Sequence, residues 1–154
     1  MDEADVERVM RHPGSMFETD GDLVEIGKGY PHPRSLGSFP RVLGRYVRER
    51  RVLTLEQAVR KMTSQAADWW GQPDRGRLAP GALADVIVFD AERVIDKATY
   101  SDPHHFPEGI RDVLVNGTPV IENSALTTAL PGRFLERPKP GGQGARSGFP
   151  GESP

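Results

Sequence analysis

The hydrophobic period of this chain changes at "QPDRGRLAPG", residues 72–81, and any fold must accommodate that change. Before it, apolar residues recur every three or four positions, as in helices with one buried face; after it, short β-branched and aromatic runs stand between turn residues. A chain of 154 residues has room for one ordinary domain, since domains run to about 100–150 residues. Helices are therefore expected in the first half and a few strands in the second.

Asp2 can cap a helix starting at Glu3, with Ala4, Val6, Val9 and Met10 along one face until His12-Pro13-Gly14 stops it. Residues 15–19 then read as a short strand ended by Asp20-Gly21. Glycine and proline recur without apolar periodicity over residues 22–39, which read as one long loop. Pro40 suits the first turn of a helix carrying Val42, Leu43, Tyr46 and Val47. Thr54 with Gln57 forms a capping box for a helix striped by Leu55, Ala58, Val59 and Met62. A short helix over residues 65–70 should close at Gly71 in a left-handed cap. Residues 84–90 and 112–123 predict strands, the latter two runs folded about Asn116-Gly117, the favoured pair for a tight type I′ turn. From about Glu136 the sequence has little apolar content and no period, so a disordered tail is expected over residues 136–154.

Composition narrows the function classes. The formal charge is -2, which provides no global basic field for nucleic acid or an anionic membrane. Cysteine is absent, so disulfides and thiolate chemistry are excluded within the chain, in keeping with a reducing compartment; the expected location is cytoplasmic. No apolar run approaches the roughly 20 residues of a membrane span, and "MDEADVERVM" is acidic where a signal peptide would be basic. With 17 glycines and 14 prolines and a mean hydropathy of -0.52, the core should be thin.

Asp20 is the sharpest candidate for chemistry. At the carboxyl end of a strand that follows a helix it would lie where barrel enzymes place catalytic groups, as a carboxylate able to take a proton from water. The plain alternative is a turn aspartate before glycine. The loop "GKGYPHPRSLG" holds Lys28, His32 and Arg34; the planar guanidinium of Arg34 suits a carboxylate gripped at two points, whereas a solvated loop is the plain alternative. The histidines, His12, His32, His104 and His105, show none of the spacings that direct two imidazoles to one metal. Arg41, Arg45, Arg48, Arg50, Arg51, Arg60 and Lys61, interrupted by Glu49 and Glu56, read as a solvated helix face or a cationic rim. "GGQGARSG" follows no strand and opens no helix, so it reads as linker, and the "NGT" at Asn116 reads as a hairpin turn.

Taken in order, "TDG", "GKGYPHPRSLGSFPRVLGRYVRE", "LTLEQAVRKMTS", "DRGRLAPGALADVIVFD" and "FPEGIRDVLVNGTPVIEN" resemble the C-terminal third of the N-acyl-D-amino-acid deacylases (D-aminoacylases), within the metal-dependent amidohydrolase superfamily. The resemblance implies an α/β fold in which residues 1–75 are the end of a (β/α)8 barrel, with its last helix, last strand, active-site loop and closing helices. It implies that residues 76–135 are a segment of the flanking β-sandwich, ahead of the tail. Asp20 would match the aspartate that accepts a proton from a zinc-activated hydroxide and passes it to the departing amine, with at most a weak hold on the metal. Arg34 would match the arginine on the substrate α-carboxylate, with Lys28 and His32 as lesser members of the substrate loop. Zinc would be the cofactor and an N-acyl-D-amino acid the substrate, and the metal-binding histidines would lie in a missing N-terminal part that completes the enzyme. On this view the chain alone is inactive. The alternatives are a non-catalytic remnant of such an enzyme, or a small interaction module using the basic helices 40–61. "FETDG" departs from the family's usual "IGSDG", with Glu18 expected to face the barrel or its helix layer.

Overall fold

The structure, a computed structural model, describes residues 2–137. The first helix, α1 (Glu3–Arg11), begins where Asp2 accepts a hydrogen bond from the Asp5 N–H at 2.9 Å, as the capping pattern predicts. It packs Val6 and Met10 against a core of Val42, Tyr46, Val52, Leu53 and the fully buried Ala58. That core comes from two helical stretches and the connection between them, which supplies Val52 and Leu53. The first is α2 (Arg34–Arg41), which runs without a break into a π-helix (Val42–Glu49). The second is α3 (Leu55–Met62), followed by α4 (Ser64–Trp70). Both halves of the Thr54 box form, with Gln57 N–H donating to Thr54 Oγ1 at 3.2 Å and Thr54 N–H to Gln57 Oε1 at 3.0 Å. Gly71 closes α4 at φ 81°, in the expected left-handed cap.

The second half folds as a four-stranded antiparallel meander, β1 (Val86–Phe89), β2 (Ile110–Val115), β3 (Thr118–Glu122) and β4 (Ala125–Leu126), in that spatial order. Asn116 and Gly117 turn β2 into β3 with φ of 50° and 80°, the two positive angles of a type I′ turn. The motif residues 74–85 fasten this hairpin to the helices, with Arg77 pairing with Asp68 of α4. Arg75 pairs with Asp85 and donates to Asn116 Oδ1 at 2.8 Å, and Asp85 in turn accepts the Asn116 N–H.

Two glycines bring the helices onto the segment after β1. A Cβ on Gly44 would lie 2.5 Å from the Val94 carbonyl oxygen, and one on Gly37 would lie 2.9 Å from Asp96 Cβ. Only a bare backbone allows this approach. Arg48 crosses the same seam to donate to the Val94 carbonyl at 2.6 Å, and Arg41 pairs with Asp96 at 2.8 Å.

Several expectations need correction. Residues 15–19 are extended but form no strand, because none of the described strands lies beside them to complete a ladder. The loop ends at Pro33 rather than at residue 39: Pro33 already has helical φ and ψ and its carbonyl accepts from the Gly37 N–H at 3.0 Å, so it takes the starting role expected of Pro40. Pro40 stands near the end of α2 and offers no N–H there, and beyond it the ladder widens, as in the 2.8 Å bond from Arg50 N–H to the Arg45 carbonyl. The basic residues are a solvated face only in part: Arg51 and Arg60 are exposed, whereas others make bonds across the fold. Arg41 and Arg48 bind the 91–96 segment, Arg50 pairs with Glu7, and Lys61 is buried with 5% exposure. Glu18 is exposed. The short β4 went unpredicted. The described residues hold one sheet, with the helices of the first half beside it. Of the expected tail, Glu136 and Arg137 are placed against α4, where Gln72 donates to the Glu136 carbonyl at 2.8 Å and Arg137 lies 5.0 Å from the Trp69 ring centre; residues 138–154 lie outside the described residues.

Candidate functional site

The approach to Asp20 is fixed from below. The buried Lys61 ammonium donates to the His12 and Ser15 carbonyls and to Ser15 Oγ, and Gln65 donates to the Pro13 and Ser15 carbonyls. Burial, with Arg60 nearby, pushes the Lys61 ammonium below the usual lysine value. It stays satisfied because three acceptors meet its three donors. Phe17 N–H adds a bond to the Lys61 carbonyl. The chain therefore leaves α1 along a path tied to α3 and α4 and reaches Asp20 just beyond Phe17.

Gly21 then lies against the first turn of α2. A Cβ there would be 2.7 Å from Ser35 Cα, so the "TDG" glycine permits a contact that no side chain allows. Thr19 Oγ1 reaches the Arg34 carbonyl at 3.3 Å and Ser38 Oγ at 3.1 Å, and Asp22 N–H donates to Ser35 Oγ at 3.2 Å. These contacts place Asp20 beside Arg34: Arg34 Nη2 and Asp20 Oδ2 are 2.9 Å apart. The two most informative sequence candidates, 14 positions apart in the chain, are thus one ion pair.

The pair is open to solvent, with side-chain exposures of 45% for Arg34 and 78% for Asp20. Exposed ion pairs are worth about 0.2–1 kcal/mol, so a competing carboxylate can displace Asp20 at little cost. The rest of the Arg34 fork makes no hydrogen bond among the described residues and can receive such a ligand. Lys28 points instead to Glu25, at 2.7 Å. His32 does not reach the pair; its Nδ1 accepts the Arg34 N–H at 3.0 Å.

The same device ends α1, where His12 Nδ1 accepts the Gly14 N–H at 3.1 Å. In each His-Pro-X turn the proline has no N–H, so the imidazole takes the one that follows. That local signal was available in the sequence. The roles of Tyr100 and His104 were not, because their contacts to this loop span some seventy residues: Tyr100 Oη meets His32 Nε2 at 3.2 Å, and His104 Nδ1 accepts the Gly27 N–H at 3.2 Å.

Among the described residues, no three His, Cys, Asp or Glu side chains lie close enough to share a metal ion. Asp20 faces a guanidinium, a cation that repels another. These side chains alone do not fit a zinc site. No helix among them is long and apolar enough to cross a membrane.

A family model described as "Amidohydrolase family" matches residues 4–121. The chain is 51% identical over 137 residues to an N-acyl-D-glutamate deacylase of Alcaligenes xylosoxydans xylosoxydans, which covers 89% of this chain and 27% of that protein. It is 44% identical to a D-aminoacylase of the same organism, over 89% of this chain and 28% of the relative. Among solved structures, it superposes on N-acyl-D-glutamate deacylase from Bordetella bronchiseptica, complexed with zinc and a phosphonate mimic of the tetrahedral intermediate, with TM-score 0.72 and 51% identity over 78% of this chain and 25% of that one. A D-aminoacylase described as defining a novel subset of amidohydrolases superposes with TM-score 0.82 and 42% identity, over 89% of this chain and 28% of that one. Another D-aminoacylase structure concerns a binuclear metal center. The chain spans about a quarter of the length of these relatives.

Proposed function

The chain belongs to the amidohydrolase family, and from that premise we propose that it supplies the proton-transferring carboxylate and the substrate-gripping arginine of an enzyme that hydrolyses the amide bond of N-acyl-D-amino acids. The observation that carries the reading is the exposed Asp20–Arg34 pair at 2.9 Å. A substrate α-carboxylate satisfies Arg34 in place of Asp20, through two parallel N–H···O bonds. Asp20, released from the guanidinium, is then a mobile acceptor beside the anchored substrate. It takes a proton from the attacking water and returns it to the departing amine nitrogen, so the C–N bond breaks with a neutral amine as leaving group.

Zinc belongs to the proposal for the complete enzyme, since the described side chains do not hold it. In that complete enzyme the extended residues 15–19 are one strand of a (β/α)8 barrel, and Asp20 stands at its carboxyl end. Activity requires the remaining length that the relatives possess.

The reading is tested by grafting this chain in place of the matching quarter of the N-acyl-D-glutamate deacylase to which it is 51% identical. The hybrid should hydrolyse N-acetyl-D-glutamate, whereas the chain alone should not. Arg34→Gln in the hybrid should raise KM about 10- to 100-fold, the equivalent of roughly 1.5–3 kcal/mol for hydrogen bonds to a charged group. An unchanged KM would remove Arg34 from the substrate site.

A further inference from the structure

We infer that Tyr100 and His104 are positioning residues for Arg34. The inference rests on the reading of Arg34 as the residue that receives the substrate carboxylate. Both side chains come from the segment after β1. That segment is closed on itself: Thr99 N–H donates to the Asp102 carbonyl at 2.9 Å, Asp102 N–H donates to Thr99 Oγ1 at 3.0 Å, and His105 Nε2 sits 2.7 Å from Asp102 Oδ2. It is a preformed surface against which the substrate loop is laid.

His104 brackets a Gly-Lys-Gly turn. Its Nδ1 accepts the Gly27 N–H at 3.2 Å and its Nε2 lies 3.1 Å from the Gly29 carbonyl. With Nδ1 as acceptor, the ring proton is on Nε2 and donates to Gly29. The two glycines have φ of 82° and 66°, a conformation the imidazole holds from both ends. Tyr100 holds the next part of the loop. Its carbonyl accepts the Tyr30 hydroxyl at 2.6 Å, its ring stands edge-on to His32 with centroids 5.1 Å apart, and its hydroxyl meets His32 Nε2 at 3.2 Å.

His32 transmits this to Arg34. Its Nδ1 accepts the Arg34 N–H, so Nε2 carries the proton and donates to Tyr100 Oη. Arg34 opens α2, where a backbone N–H has no partner within the helix. The orientation of that first turn, and with it the reach of the guanidinium to Asp20, is set by an imidazole that Tyr100 holds in place. Every group in this relay is in the exposed loops, away from the buried core. Its loss should therefore leave the fold intact and loosen Arg34.

The test is hydrogen exchange by NMR on the full chain, reading the Arg34 amide and its guanidinium Nε–H. His104→Ala and Tyr100→Phe should each speed both exchange rates about two- to tenfold, the population equivalent of one hydrogen bond. The amides of Ala58 and Val94 should not change. His104→Gln carries an acceptor and a donor on one planar group and should restore the Arg34 rates. Unchanged Arg34 rates in His104→Ala and Tyr100→Phe would overturn the inference, as would a His104→Gln chain that exchanges like His104→Ala. N-acetyl-D-glutamate added to the same samples tests the substrate reading separately. If Arg34 signals fail to shift on its addition, that reading fails, while the response to His104→Ala still decides the positioning role.

Discussion

The helices between Arg34 and Trp70 bury a shared apolar core, whereas no residue of the four strands is buried, the buried Val94 and Ala98 belonging to the segment between β1 and β2. The helical region contributes Val42, Tyr46, Val52, Leu53 and Ala58 to that core. In the sheet, Ile87 at the middle of β1 remains 57% exposed and Leu126 in β4 remains 69% exposed. The sheet is tied to the molecule by polar anchors instead: Arg75 on Asp85 and Asn116, and Arg48 and Arg41 on residues 91–96. The difference teaches that the two halves answer to different perturbations. The helices respond to volume and backbone approach, and the sheet to loss of a charged donor.

The seam between the halves should be the most sensitive position. Gly44→Ala drives a methyl group into the Val94 carbonyl and Ile95, a contact with backbone that cannot relax by a rotamer change. A loss of about 3 kcal/mol is expected, read as a lower urea midpoint, with amides of both halves losing protection together. If only the sheet loosens, the seam is not shared.

Arg75→Met separates the halves. It leaves Asp85 and Asn116 without their donor and should cost about 1.5–3 kcal/mol. Exchange should quicken in β1, β2 and β3 while Ala58 stays protected. Equal loss in both regions would mean that they unfold as one unit.

Thr54→Ala acts on the helical side alone. It removes half of the capping box and should cost about 1 kcal/mol, seen as earlier thermal fraying of α3 with the sheet unaffected.

Acid should give the mildest contrast. Hydrogen bonding and charge from Arg50 hold the Glu7 carboxyl below its ordinary value, and the Asn123 N–H, with Arg111, does the same for Asp112 in the sheet. A carboxyl whose folded pKa is lowered leaves the unfolded chain binding more protons in the interval between the two values. Its contribution is therefore complete above the unfolded pKa and is lost as pH falls through the folded one. Glu7→Gln should flatten the acid dependence of α1 docking, and Asp112→Asn that of the β3–β4 turn, each leaving the other unchanged. Circular dichroism and amide shifts between about pH 5 and 2, the span over which paired carboxylates protonate, check this.

What could be read in the sequence follows the range of each interaction. The Asp2 cap, the Thr54–Gln57 box, the Gly71 cap and the Asn116-Gly117 turn are each closed within a few residues, and all were legible. Pro33 and Pro40 could not be told apart by local pattern, because each stands in a segment compatible with a first helical turn; in the fold the helix already runs through Gly37, which packs on Asp96. Residues 15–19 have strand composition, but a strand needs a neighbour. Lys61 looked like a surface cation; its burial depends on carbonyls that α1 brings from the other end of the helical region. In the candidate site, Asp20 and Arg34 were visible as residue types in a recognisable order. Their contact depends on Gly21 packing on the first turn of α2, and the hold of Tyr100 and His104 on the loop depends on the segment after β1 folding back over the first half.

The most direct test of the functional account is Asp20→Asn in the hybrid deacylase, with kcat and KM measured on N-acetyl-D-glutamate. Asparagine keeps the shape and removes the proton acceptor, so kcat should fall about 10²- to 10⁴-fold, the range of one acid–base group, while KM changes little. An Asp20→Asn hybrid that turns over at the rate of its parent would contradict the account.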